Sequence, residues 1–207
     1  MNSGPASLAQ SDIISLMEKD KDIKLVAIVG MCGSGKSTAV DYLTERNIPK
    51  IYFGGVVINA VKEAGLEVNE ANEKKIRESL REKEGKDAIV NRVVESAKKL
   101  IESGQKRIVL DGLYSWTEYK VLRKEFPNEM TVVAVVTPKA LRRERLANRP
   151  VRPLTPAEVA ERDRAEIENL EKGGPIAIAD YYVDNSGTIE EFHEAFGKLM
   201  KDIKFID

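Results

Sequence analysis

A chain of 207 residues with 33 Lys and Arg against 34 Asp and Glu carries a formal net charge of −1. That balance gives no sequence-independent attraction to nucleic acid or to an anionic membrane, so a small-molecule anion is the expected partner. The length suits one α/β domain with a full core and is short for two. No apolar run approaches a membrane span, and the start lacks the basic-then-apolar pattern of a secretory signal, so a cytoplasmic location is expected.

Residues 1–10 are small, polar and patternless and are set outside the fold. Helical spacing at Ile13, Ile14 and Met17 behind Ser11 predicts a short appended helix over 11–19, inside an N-terminal segment of residues 1–22. The main domain is expected over 23–207. A continuous apolar run predicts a buried strand over 25–29, and Val40 and Leu43 mark the inner face of a helix over 37–46. Between them, Gly30-Met31-Cys32-Gly33-Ser34-Gly35-Lys36-Ser37 fits G-x-x-x-x-G-K-[ST] at every fixed position.

Strand, glycine loop and helix are the context a phosphate-binding loop requires. Successive loop amides and the helix N-terminus then point at phosphate oxygens. Lys36 is expected to reach the β and γ phosphates, and Ser37 to offer a hydroxyl to Mg2+, which takes few protein ligands. Cys32, the lone cysteine, cannot form an intramolecular disulfide and is read as a small filler of this loop.

Downstream the elements alternate. A short strand is expected over 48–53, helices over 56–64, 69–83 and 87–102, the last ended by Gly104, and a strand over 106–111. A helix over 115–125, a buried strand over 130–137 and a helix over 138–147 with Pro138 near its start follow. A helix over 156–171, a strand over 180–184 and a helix over 189–200 complete the series, the last striped by Ile189, Phe192, Phe196 and Leu199. Such alternation predicts a three-layer α/β fold, a five-stranded parallel sheet with helices on both faces.

The strand Ile108-Val109-Leu110-Asp111 ends in a carboxylate beside the loop, the usual position of an Asp that organises Mg2+. Lys139, Arg142, Arg143, Arg145, Arg149 and Arg152 then form a cationic segment, with Arg162 in the next helix. Phosphoryl transfer needs guanidinium groups around the equatorial oxygens, preferably on a closing lid that excludes water. Arg149-Pro150-Val151-Arg152-Pro153 reads as the hinge and tip of such a lid, over about 148–172, and Arg142, Arg145 and Arg149 share a helix face by spacing. His193, the lone histidine, makes neither zinc site nor triad and is given no role.

These residues together resemble the nucleoside monophosphate kinase group of P-loop kinases, and more narrowly its dephospho-CoA kinase-like branch. The likeness runs over 25–200. It rests on the loop, on Val109-Leu110-Asp111-Gly112, on Leu141-Arg142-Arg143-Glu144-Arg145-Leu146, on Arg162-Asp163, and on Ala179-Asp180-Tyr181-Tyr182-Val183-Asp184-Asn185-Ser186-Gly187. Residues 168–178, with Gly173-Gly174-Pro175, are most similar to a clade of small adenylate-kinase-like proteins described as predicted nucleotide kinases. The resemblance implies a P-loop NTPase fold and Mg-ATP as cofactor. It also implies phosphate contacts from Gly30, Gly33, Ser34, Gly35, Lys36, Ser37, Thr38 and Arg145, and places Asn185 and Gly187 beside the adenine.

Departures fall on the acceptor side. Relatives commonly carry Gly-Asp and then Arg after the second strand, where this chain has Gly54-Gly55-Val56-Val57-Ile58. The Asp-x-Asp of dephospho-CoA kinases is missing as well, since Tyr52-Phe53-Gly54 stands there. Arg77 and Arg81, four apart on one helix, are the candidates for holding an acceptor phosphate; a solvated face paired with Glu73, Glu78 and Glu84 is the alternative. Tyr114 and Trp116 could stack on a planar acceptor, although Trp116 also suits core packing. The expectation is a kinase with Lys36, Asp111, Arg145, Arg149 and Arg152 as its catalytic set, acting on a nucleotide-like acceptor bound by Gly54, Gly55, Arg77, Arg81, Tyr114 and Trp116. The alternative is an ATP-binding switch read by a protein partner.

Overall fold

A computed structural model describes residues 22–150 and 152–207, so the helix expected over 11–19 lies outside the described residues. Five strands pair in parallel: β1 Lys24–Val29, β2 Lys50–Tyr52, β3 Arg107–Asp111, β4 Met130–Val136 and β5 Tyr181–Asp184, in the order β2-β3-β1-β4-β5. The central strand β1 feeds the glycine loop, so the loop opens at the carboxyl edge of the sheet where the strand order reverses. Nine helices accompany the strands among the described residues, the last following β5: α1 Lys36–Thr44, α2 Phe53–Glu63, α3 Glu70–Glu84, α4 Ala88–Glu102, α5 Trp116–Glu125, α6 Lys139–Asn148, α7 Pro156–Glu168, α8 Gly173–Ala177 and α9 Ile189–Asp202.

Although the strand interiors are apolar throughout, their period of two still sorts the residues to opposite faces. Leu25, Ala27, Val29, Ile108 and Leu110 pack with Phe53, Val90, Val93 and Ala97 on the α2, α4 and α5 face. Val26, Ile28, Val109, Val133 and Val135 pack with Val40, Leu43, Phe192, Phe196 and Met200 on the α1 and α9 face. A smaller cluster of Val57, Val61 and Ile89 binds α2 to α4 beside the cleft. Among the described residues no helix is long and apolar enough to cross a membrane. His193 packs against the Tyr42 ring at 5.2 Å.

Local chemistry fixes the helix starts. Ser115, Thr155 and Thr188 each form a full capping box, with Glu118, Glu158 and Glu191 reaching back to the cap amide. Three boundaries differ from expectation. The second strand is shorter, and helix α2 begins at Phe53 rather than Val56, because the Tyr52 ring folds over Gly54, where a Cβ would stand 2.5 Å from the ring. The helix from Pro156 stops at Glu168 instead of running to 171: Glu171 takes a left-handed φ of 53°, and the chain turns into the separate helix α8. Arg149 is extended rather than helical, so it no longer shares a helix face with Arg142 and Arg145.

Candidate active site

Gly30 follows β1 at φ +147°, and a Cβ there would stand 2.5 Å from the Val135 carbonyl oxygen, which excludes any side chain. Gly35 caps α1 at φ +96°, and a Cβ there would overlap the Asn185 amide. That amide is buried and donates from Nδ2 to the Ser34 carbonyl at 2.9 Å, while the Thr137 hydroxyl donates to the same oxygen at 3.0 Å. Asn185, placed beside the adenine by the resemblance, thus braces the loop from behind, and Gly187 lies in a separate groove with Tyr181 and Glu191. The Ser34 side chain is itself buried, its hydroxyl without a partner among the described residues.

Lys36 turns back over the loop, its Nζ donating to the Met31 carbonyl at 2.9 Å. Burial, and then the neighbouring Lys172 charge, lower its pKa from the usual lysine range to about 8; Glu166, Cys32 and Asp111 pull the other way. Asp111 ends β3 in register with Ile28, immediately ahead of the loop. Burial raises its carboxyl above the ordinary Asp range, and the Lys50 and Lys36 charges limit the rise. Ser37 is exposed at the loop mouth and lines the cleft, and Thr38 is half-buried behind it.

The cleft has two connected chambers. One, of about 720 Å³, is bounded by the loop residues Cys32, Gly33, Gly35, Lys36 and Ser37 with Arg145, Arg149 and Arg152. The other, of about 790 Å³, is bounded by Phe53, Gly54, Val57, Arg81, Ile89 and Glu118. Tyr52, Arg77, Tyr114, Arg162, Glu166 and Leu170 line both. Arg145, Arg149 and Arg152 thus gather on the loop side, with the Arg149 side chain donating to the Arg152 carbonyl. Arg77 and Arg81 reach the cleft, and among the described residues neither is in an ion pair; Glu78 takes Lys74 and Glu84 takes Arg92. Burial pushes the Tyr114 phenol well above its usual pKa.

Two of the expected acceptor residues stand outside the chamber walls. Gly55 is not part of either wall, and Trp116 stacks on Tyr119 at 5.1 Å and covers Gly174, outside both chambers. Arg142 also has a different place: it is buried, donates to both oxygens of Asp163 at 2.8 and 3.0 Å, and donates to the Cys32 carbonyl at 2.8 Å. It ties α6, α7 and the loop together.

Sequence reasoning passed over Glu166 and Lys172. Glu166 Oε2 accepts the Cys32 N–H at 2.9 Å, and Oε1 accepts from Lys172 Nζ at 2.6 Å. Lys172 also lies over the Tyr114 ring at 4.4 Å. The signal for Glu166 was in the pattern: Val159, Asp163 and Glu166 fall at i, i+4 and i+7, so the buried stripe of α7 carries two carboxylates. Buried carboxylates need partners, and here those partners are Arg142, Lys172 and a loop amide.

A parallel five-stranded sheet whose central strand feeds a braced G-x-x-x-x-G-K-S loop defines the P-loop kinase fold. Solved structures agree: a putative kinase from Chloroflexus aurantiacus covers 88% of this chain and 97% of its own at TM-score 0.56 and 14% identity, and a gluconokinase from Sinorhizobium meliloti covers 88% and 96% at TM-score 0.54 and 14% identity. The AAA domain family model matches residues 26–169. UPF0200 protein TK1334 of Thermococcus kodakarensis is 36% identical over 182 residues, covering 86% of this chain and 97% of its own length; the UPF0200 protein of Methanococcus vannielii is 34% identical over 185 residues, covering 87% and 97%. The chain belongs to the AAA domain family and to the UPF0200 proteins.

Proposed function

We propose that this chain is a cytoplasmic kinase that transfers the γ-phosphoryl group of Mg-ATP to a small acceptor carrying a phosphate and a planar ring, a nucleotide-like molecule. The observation that carries this reading is the pair of chambers meeting at the loop, with Arg77 in the wall of both. One chamber has loop amides, Lys36 and five arginines, suited to a polyphosphate. The other combines the Tyr52 and Tyr114 rings with Phe53, Val57 and Ile89 and sets Arg81 at its rim, suited to an apolar ring ending in an anion.

The residues present fit Mg-ATP. The Glu166 carboxylate already sits on the Cys32 amide, which supports the loop's accepting anionic oxygen. The Ser37 hydroxyl and the Asp111 carboxylate would hold Mg2+, which when bound neutralises charge on the β and γ oxygens. Lys36 would swing from the Met31 carbonyl to those oxygens. Arg145 at the end of α6, with Arg149 and Arg152 on the 148–172 segment acting as a lid, would stabilise the moving phosphoryl group, and the lid would exclude water.

No free carboxylate is needed as a base when the acceptor is itself a phosphate, which is already nucleophilic. Of the carboxylates lining the acceptor chamber, Glu118 is engaged by the Tyr114 and Ser115 N–H groups and Glu158 by its own capping box, and Glu73 and Glu161 line it as well. Coupled ADP release with Mg-ATP against ribo- and deoxynucleoside monophosphates, dephospho-CoA and nucleosides tests the reading, with Lys36→Ala as the blank. A Lys36-dependent rise with one phosphorylated acceptor is expected. ATP binding without any acceptor-dependent rate would instead favour a switch that a partner protein reads.

A further inference from the structure

The proposed reaction leaves two buried charged groups without a task. Glu166 is 2% exposed and Lys172 5% exposed, and they pair at 2.6 Å, with Arg162 Nε 3.7 Å from the same carboxylate oxygen. The second carboxylate oxygen sits on the Cys32 amide, inside the phosphate loop. To such an amide a carboxylate oxygen and a phosphate oxygen are equivalent acceptors, so the two compete for one seat.

A polyphosphate entering the loop therefore meets a carboxylate already in place, with like charges in contact in a partly dehydrated site. Glu166 has to withdraw. Lys172 cannot simply follow it into solvent: its backbone N–H donates to the Glu166 carbonyl at 3.0 Å, which fixes both residues on one turn at the end of α7, and the ammonium is covered on one side by the Tyr114 ring. Without Glu166 it is left with that ring and the like charge of Lys36, and a buried ammonium without a counter-ion is strongly disfavoured. An incoming phosphate oxygen would restore the counter-ion.

We infer that Glu166 is an internal stand-in for phosphate, that nucleotide entry displaces it from the Cys32 amide, and that the displacement hands Lys172 to the phosphate oxygens as a second phosphate-binding lysine beside Lys36. This rests on the reading of the loop as a nucleotide site. The seat is self-occupied at rest, so the free enzyme protects its loop from stray anions and gives up part of its intrinsic phosphate affinity in return.

Calorimetric titration of the full chain with pyrophosphate, ADP and adenosine, without Mg2+, tests it. Glu166→Gln keeps the shape and removes the competing charge; it is expected to bind pyrophosphate and ADP about fivefold tighter or more, with adenosine unchanged. The double variant Glu166→Gln, Lys172→Met is expected to bind both about tenfold more weakly than Glu166→Gln alone, which isolates the lysine. Unchanged or weaker binding by Glu166→Gln overturns the stand-in, and equal binding by the single and double variants overturns the hand-over. Circular dichroism checks folding; should Glu166→Gln not fold, Glu166→Asp, too short to span to the Cys32 amide, is expected to shift in the same direction, and no shift overturns the proposal. If the wild type binds neither pyrophosphate nor ADP, the phosphate-loop reading itself has failed, an outcome distinct from a wild type that binds and variants that do not differ.

Discussion

The floor of the cleft is made of backbone, its facing wall of side chains. On the floor, the Ser34 carbonyl is fixed by Asn185 and Thr137, and Gly30 and Gly35 occupy conformations that a side chain would block. On the wall, the cleft surface is made by long residues, Arg77, Arg81, Arg145, Arg149 and Arg162, carried on helices and on the 148–172 segment. Backbone geometry serves any triphosphate, so it needs the same few residues in the same order. Side-chain walls define one acceptor, and many sequences can build one. The difference teaches where to cut: changes on the floor should abolish transfer for every acceptor, and changes on the wall should alter affinity for one.

The largest effect is expected at Lys36. Lys36→Ala should lower acceptor-dependent ADP release by about a hundredfold or more, since its charge meets the phosphates where charge develops. Its pKa of about 8 in the free protein adds a pH signature. Because the folded value lies below the ordinary lysine value, the unfolded chain binds more protons between about 8 and 10.5, and the cost of charging Lys36, fully present below pH 8, is relieved as pH rises through that window. Lys36→Met should therefore stabilise the free protein near pH 7 by about 1–2 kcal/mol, allowing for solvent at the loop mouth, and the gain should fade toward pH 10.5. Urea melts at several pH values measure it; a constant gain would contradict the assignment. Affinity for ADP should fall over the same range as the free lysine loses its proton.

Next comes the tie between wall and floor. Asp163→Ala leaves the Arg142 guanidinium buried with only the Cys32 carbonyl, and should destabilise the fold by about 3–5 kcal/mol. Breaking the exposed Lys98 to Glu125 pair should cost less than about 1 kcal/mol. Denaturant midpoints compare the two directly, and similar losses would mean that Arg142 finds other partners.

On the wall itself, Arg77→Ala should raise the acceptor KM about tenfold and also lower kcat, because Arg77 faces both chambers. Arg81→Ala should raise KM by a smaller factor and leave kcat alone, since Arg81 lines the acceptor chamber only. Equal effects on ATP and acceptor from Arg81→Ala would remove the distinction between the chambers.

The same contrast governs what the sequence disclosed. The loop, Asp111 at its strand end and the alternation that builds the parallel sheet were legible because each is a local pattern with a local cause: glycines where side chains clash, an apolar run where both faces are covered. Arg142 was misread because spacing places a residue on a helix face but does not say which neighbour waits there, and the neighbour was Asp163, 21 residues away. Glu166 and Lys172 were missed for a related reason, as the Cys32 amide they serve lies 134 residues from Glu166 in the chain. Asn185 was given a ligand role when its partner is the loop carbonyl behind the site.

Trp116 separates the two kinds of knowledge most cleanly and should show the smallest effect. Its position just after Asp111 suggests a stacking platform, yet its ring lies parallel to Tyr119 and against Gly174, on the outside of α5. Trp116→Leu should therefore leave kcat/KM for ATP and for the acceptor within about twofold, and cost about 1 kcal/mol of stability from the lost aromatic stacking. Steady-state kinetics beside a thermal melt distinguishes the two outcomes. A tenfold rise in acceptor KM with an unchanged melt would mean that α5 and α8 rearrange on binding to bring the indole into the cleft, and the acceptor wall would then include a residue that the free protein keeps outside.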